Sequence, residues 1–213
     1  MQRLLPGVIA MAAIVVASNI LVQFLILDGL LTWGAFTYPF AFLVTDLMNR
    51  VYGPAAARRV VFVGFLIGIL CSLIGSQIML QGDGYEYAAV ALRVAVGSGI
   101  AFLTAQLVDV FIFDRMRQGV WWRAPLASSV VGSALDTALF FTIAFSASIT
   151  LFPASANEEI SWAWEAVPLM TIGGLYPLWV SLAIADWMVK MTVALIALIP
   201  FRIAIGKILQ PSA

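Results

Sequence analysis

The chain contains no histidine and a single cysteine, and only 10% of its 213 residues are charged. Without histidine, imidazole acid/base pairs, Ser-His-Asp triads, haem ligation and most zinc sites are excluded. Cys71 alone can form neither an intrachain disulfide nor a cysteine cluster. A GxxxxGK(S/T) phosphate-binding loop is missing as well, so an ATP-driven step would need another chain. Basic and acidic residues balance at 11 each, and net charge therefore says nothing about partners. What is abundant is apolar surface: 63% of the residues are hydrophobic, against roughly 45–50% in a soluble domain. With a mean hydropathy of +1.04, this is the composition of a polytopic membrane protein.

Apolar runs long enough to cross a bilayer predict six spans, Leu5–Leu27, Leu31–Asn49, Val60–Leu80, Ala88–Phe113, Pro125–Phe152 and Val167–Phe201. The expected fold is all-α, one six-helix transmembrane domain over residues 1–213. The first run follows Arg3 and imitates a signal peptide, but it is of spanning length and holds Asn19 and Gln23, so it reads as a helix of the mature protein. The last run is too long for one crossing, and Gly173, Gly174 and Pro177 should break off a short interfacial or re-entrant piece before the final helix.

The charges outside the spans separate by sign. Arg3, then Arg50, Arg58 and Arg59, then Arg115, Arg117 and Arg123 beside Asp114, and finally Arg202 and Lys207 occupy alternate connections and the tail. The intervening loops carry Asp28, Asp83, Glu86, Glu158, Glu159 and Glu165 with no lysine or arginine. By the positive-inside rule the basic side is cytoplasmic, which predicts both termini there. Trp121 and Trp122, with Trp162 and Trp164 opposite, suit aromatic belts at the two interfaces.

Ionisable residues inside spans cost roughly 2.5–3.5 kcal/mol each at a helix centre, so Asp46, Arg93, Asp109, Asp136, Asp186 and Lys190 need a reason to be there. Asp186 and Lys190 stand at i and i+4 in the favourable order, as an ion pair or a site. Asp46 and Arg50 repeat the spacing, there read as an anchored helix end. Four acids against two bases leave a surplus of negative charge, so some carboxyls are protonated or a cation visits, and both suit a transporter. Ser128, Gly132 and Asp136, flanked by Ser129, Ser133 and Thr137, make a small polar helix face. Gln106 with Asp109, and Asn19 with Gln23, add two more. Gly64, Gly68, Ser72 and Ser76 form a small-residue stripe, a close contact either within the bundle or between protomers of a homodimer. Pro39 interrupts the second span among Trp33, Phe36, Tyr38, Phe40 and Phe42, whose rings offer stacking surface to a planar ligand.

Several of these residues fall in a recognisable pattern. Ser18-Asn19, the run from Trp33 through Tyr38-Pro39-Phe40 to Thr45-Asp46-Leu47, then Arg50, Gly53 and Ala57-Arg58-Arg59, resemble the queuosine precursor transporter family, one of the vitamin-uptake type. Gln106-Leu107-Val108-Asp109, Met116-Arg117, Trp121-Trp122, Asp136-Thr137 and Asp186-Trp187 with Lys190 extend the resemblance over nearly the whole chain, with Trp187 where the pattern carries Tyr. The resemblance implies uptake of 7-cyano-7-deazaguanine or 7-aminomethyl-7-deazaguanine across the bacterial inner membrane for tRNA queuosine, not an enzyme, with no cofactor. The expected partners are membrane lipid and a purine-like solute, with no nucleic acid. The expected cavity groups are Asn19, Gln23, Gln106, Asp109, Asp136, Asp186 and Lys190, with Trp33, Phe36 or Tyr38 stacking and Arg93 orienting a carboxylate or gating access. Pro39, Asp46, Arg50, Arg58 and Arg59 are expected to set helix geometry and topology. The rival readings are a substrate-capturing subunit of an ATP-driven uptake complex and a non-transporting assembly subunit.

Overall fold

A computed structural model describes residues 2–21, 25–26, 31–82, 84 and 86–208. Its helices are α1 (Leu5–Leu21), α2 (Gly34–Thr37), α3 (Phe40–Tyr52), α4 (Pro54–Gly75), α5 (Leu92–Met116), α6 (Arg123–Phe145), the short α7 (Ala154–Glu158) and α8 (Leu178–Ile208). Three antiparallel two-stranded hairpins join them: β1 (Leu25–Ile26) with β2 (Leu31–Thr32), β3 (Met79–Gln81) with β4 (Glu86–Ala88), and β5 (Ala166–Pro168) with β6 (Leu175–Pro177). Of these, α4, α5, α6 and α8 are long and apolar enough to cross a membrane. Composition and structure together make this a helical membrane protein.

The first predicted span is shorter as a helix than expected. α1 stops at Leu21, and Leu25–Ile26 pair instead with Leu31–Thr32. Pro39 breaks the second span as its chemistry demands, because it has no N–H to donate and its ring clashes with the preceding turn; α2 ends at Thr37 and α3 restarts at Phe40. Between α3 and α4 stands one residue, Gly53, with φ +87°, a left-handed conformation that glycine adopts without strain, and Pro54 opens α4 where a missing N–H costs nothing. That turn puts Arg50, Arg58 and Arg59 at one end of the bundle. At the other end, the glycines and Pro177 split the last span into the β5–β6 hairpin and a 31-residue helix that runs on through Pro200.

Successive helical columns run up and down. Met48 packs at Gly7, Met11 and Phe102 at Gly64, Val90 at Gly75, Ala144 at Gly97, and Phe201 on Phe113. α1 therefore begins, and α8 finishes, at the end that carries the arginines. There Arg202 lies 4.9 Å over Trp121 and Arg123 5.7 Å over Trp122. The three hairpins, with Glu86, Glu158, Glu159 and Glu165, sit at the opposite end. The small-residue stripe of α4 faces inward: a Cβ on Gly64 would meet Met11 at 2.6 Å, and one on Gly68 would meet Val15 at 3.4 Å. Of the two contacts left open by the sequence, the stripe makes the one within the bundle.

Candidate functional site

Between the hairpin-end halves of α1, α4, α5, α6 and α8 lies a cavity of about 740 Å3, of a size that suits a small organic ligand. Small side chains make the room: Gly64, Gly68 and Ser72 on α4 and Ser98 and Gly99 on α5 line it. Exposed Glu159 and Trp162 stand at its mouth. Most of the wall is apolar and aromatic, with Tyr38, Phe65, Phe102, Phe140, Phe141 and Phe145 presenting rings.

The floor is charged. Lys190 on α8 lies 2.5 Å from Asp186 on its own helix and 2.7 Å from Asp136 on α6. Lys190 also donates to Thr137 at 3.1 Å, Thr137 donates to Asp186 Oδ2, the oxygen that Lys190 holds, at 2.8 Å, and the Tyr38 hydroxyl donates to Asp136 at 3.1 Å. Lys190 and Asp136 are both buried, while Asp186 is partly open to the cavity. Two carboxylates around one ammonium leave a net negative charge, held by hydrogen bonds in a site largely screened from water, where such pairs are costly to break. The i, i+4 spacing of Asp186 and Lys190 and the polar face of α6 announced this cluster; Tyr38 joins it because the Pro39 break turns its ring inward.

The other candidates are placed elsewhere. Trp33 and Phe36 pack on each other with ring centroids 6.0 Å apart and do not line the cavity. Arg93 is fully buried at the hairpin end but outside the cavity: it donates to the carbonyls of Ile143 and Ser146 and to Asn157 Oδ1 at 2.7–3.2 Å, closing the C-terminus of α6, where a cation is favoured by the helix dipole. Gln106 and Asp109 lie below the floor, toward the arginine end, with Thr45 donating to Gln106 at 2.6 Å. Asp46 is not paired with Arg50. It accepts from Ser128 at 3.1 Å, while Arg50 turns to the backbone carbonyl of Arg117. Arg58 and Arg59 are exposed at the start of α4. The Asn19 side chain and Gln23 lie outside the described residues. Phe102, Phe140 and Glu159 were missed because a ring or an acid in a span or loop has no spacing signature; only the fold brings them to one cavity.

The family model described as "Putative vitamin uptake transporter" matches residues 32–205. The chain belongs to this vitamin uptake transporter family. It is 39% identical over 157 residues, 70% of this chain and 71% of the relative, to the "Queuosine precursor transporter" of Escherichia coli (strain K12). It is 31% identical over 187 residues, 84% of this chain and 70% of the relative, to the "Probable queuosine precursor transporter" of Haemophilus influenzae. A Bacillus subtilis (strain 168) protein of that same name is 27% identical over 192 residues. No solved structure matches the chain. Membership of this family gives the chain a transporter's role, and the charged floor of the cavity, Asp136, Asp186 and Lys190, lies within the matched region.

Proposed function

We propose that this vitamin uptake transporter family member imports a queuosine precursor, 7-cyano-7-deazaguanine or 7-aminomethyl-7-deazaguanine, across the bacterial inner membrane. In this reading the chain crosses six times with the arginine end and both termini in the cytoplasm, so the cavity opens to the outside, ready to load. The observation that carries it is the Asp136–Lys190–Asp186 cluster beneath an aromatic-walled cavity. A guanine-like edge presents adjacent N–H donors for the two carboxylates and a carbonyl for the Lys190 ammonium. The flat ring fits between side chains such as Tyr38, Phe102 and Phe140. The net negative floor, with Glu159 at the mouth, also accommodates an aminomethyl cation.

The test is thermal stabilisation of the purified protein by the two deazaguanines, guanine and unrelated vitamins, together with uptake by proteoliposomes holding this chain alone. Selective stabilisation by deazaguanines and uptake without another protein are expected. Uptake only after ATPase subunits are added would favour the capture-subunit reading, and no response to any deazaguanine would overturn the substrate.

A further inference from the structure

We propose that Asp46 and Asp109 together form a proton-carrying site, separate from the cavity floor, that couples solute import to the proton gradient; this rests on the import reading above. Asp109 on α5 is fully buried and neither carboxyl oxygen has a hydrogen-bond partner among the described residues. Asp46 of α3, 2% exposed, accepts from Ser128 of α6 at 3.1 Å, and Asp109 packs one turn along the same helix, at Gly132. Gly132, one turn beyond Ser128, lets α6 close on α5: a Cβ there would lie 3.4 Å from that of Asp109. No cation pairs with either acid among the described residues, since the ion pairs are Arg117 with Asp114 and Lys190 with Asp136 and Asp186.

Two ionised carboxylates packed along one face of α6 at membrane depth, neither in an ion pair among the described residues, are costly, so the pair must take up positive charge. The surroundings select a proton. A metal ion needs several oxygen ligands around it, and among the described residues no group of three acidic, histidine or cysteine side chains converges. Beside Asp46 there is a cavity of only about 10 Å3, about one water, lined also by Ser129, Ser133 and Lys190. That space lies between Asp46 and Lys190, which belongs to the floor of the large cavity.

The other ionisable groups around the pair are Arg50, one turn along α3, Asp114 on α5, held to Arg117, and Asp136 on α6, held by Lys190. α8 presents Lys190 across the small cavity. The arginines of α4 are exposed at its start, and α1 has no ionisable residue. The balance is simple: a proton from the hairpin side forms an O–H bond to one carboxylate and is released to water at the arginine end. No bond of the solute changes, and one positive charge moves inward with each solute.

Proteoliposomes loaded with labelled 7-cyano-7-deazaguanine separate coupling from transport. With an acid exterior, about one pH unit supports up to about tenfold accumulation for one proton per solute, whereas a sodium gradient gives none. Asp109→Asn and Asp46→Asn should keep counterflow exchange and ligand-induced thermal stabilisation while accumulation falls to the equilibrium level. In wild-type vesicles, adding solute to a weakly buffered exterior should alkalinise it. Sodium-driven accumulation, unchanged accumulation by both variants, absence of alkalinisation, or loss of exchange and ligand stabilisation together in both variants would overturn the site. Wild-type protein that neither binds nor exchanges the solute would instead bring down the import reading, and this proposal with it.

Discussion

The ammonium of Lys190 lies 2.7 Å from the Asp136 carboxylate, across the α6–α8 interface. Because it also holds Asp186 at 2.5 Å, replacing it would strand two carboxylates at once. Lys190→Met should therefore abolish deazaguanine uptake and lower stability by about 3–5 kcal/mol, as breaking one partner of a buried pair does. Thermal unfolding in detergent, read beside uptake, checks both. Asp136→Asn leaves Lys190 its second partner and should cost less stability but as much transport. Equal destabilisation by the two variants would mean that Asp186 does not hold the lysine.

Tyr38 and Trp33 belong to one aromatic run but have different fates. The Tyr38 hydroxyl donates to Asp136, whereas Trp33 is 51% exposed. Tyr38→Phe removes one hydrogen bond to a charged acceptor, worth about 1.5–3 kcal/mol, and should weaken uptake roughly tenfold or more. Trp33→Ala should stay within about twofold, as a surface change does. Initial uptake rates over a concentration series distinguish the two.

The first predicted span overran α1, but the four long helices α4, α5, α6 and α8 were legible because spanning length is a property of single segments. So was the Asp186–Lys190 pair, whose spacing lies within one helix. The roles of Arg93 and Asp46 were not legible. Each has a partner fifty or more residues away, Ile143 for Arg93 and Ser128 for Asp46, reached only once α5 and α3 pack against α6. Counting charges showed an acidic surplus, but only the fold divides it between a floor with a lysine and a pair without one.

Arg93 spends its guanidinium on backbone carbonyls and Asn157, away from the cavity. Arg93→Met leaves those buried carbonyls unpaired, at about 1–3 kcal/mol for each unsatisfied group. The expected outcome is a lower melting temperature with an unchanged KM for the protein that remains folded. A raised KM at unchanged stability would return Arg93 to the solute's path.

Gly68 lines the cavity and faces Val15 of α1, so its stripe holds space open rather than joining two protomers. Gly68→Leu should fill part of that space and remove ligand-induced stabilisation, with no change in oligomeric state by light scattering in detergent. A change in association with ligand binding intact would restore the stripe to a protomer contact.

Arginines at one end of the bundle and glutamates at the other predict which residues reach which side of the membrane. In a Cys71→Ser background, Glu158→Cys lies at the hairpin end and Arg58→Cys at the arginine end, both at exposed positions. A membrane-impermeant maleimide applied to spheroplasts should modify Glu158→Cys at once and Arg58→Cys only after lysis. Moving one arginine cluster is a weak perturbation of topology, because cations just before α1, around the α3–α4 turn, in the α5–α6 loop and at the end of α8 all favour the same side. Arg58→Cys should therefore report the native orientation, and its labelling from outside would mean that the bundle sits inverted and the cavity opens inward.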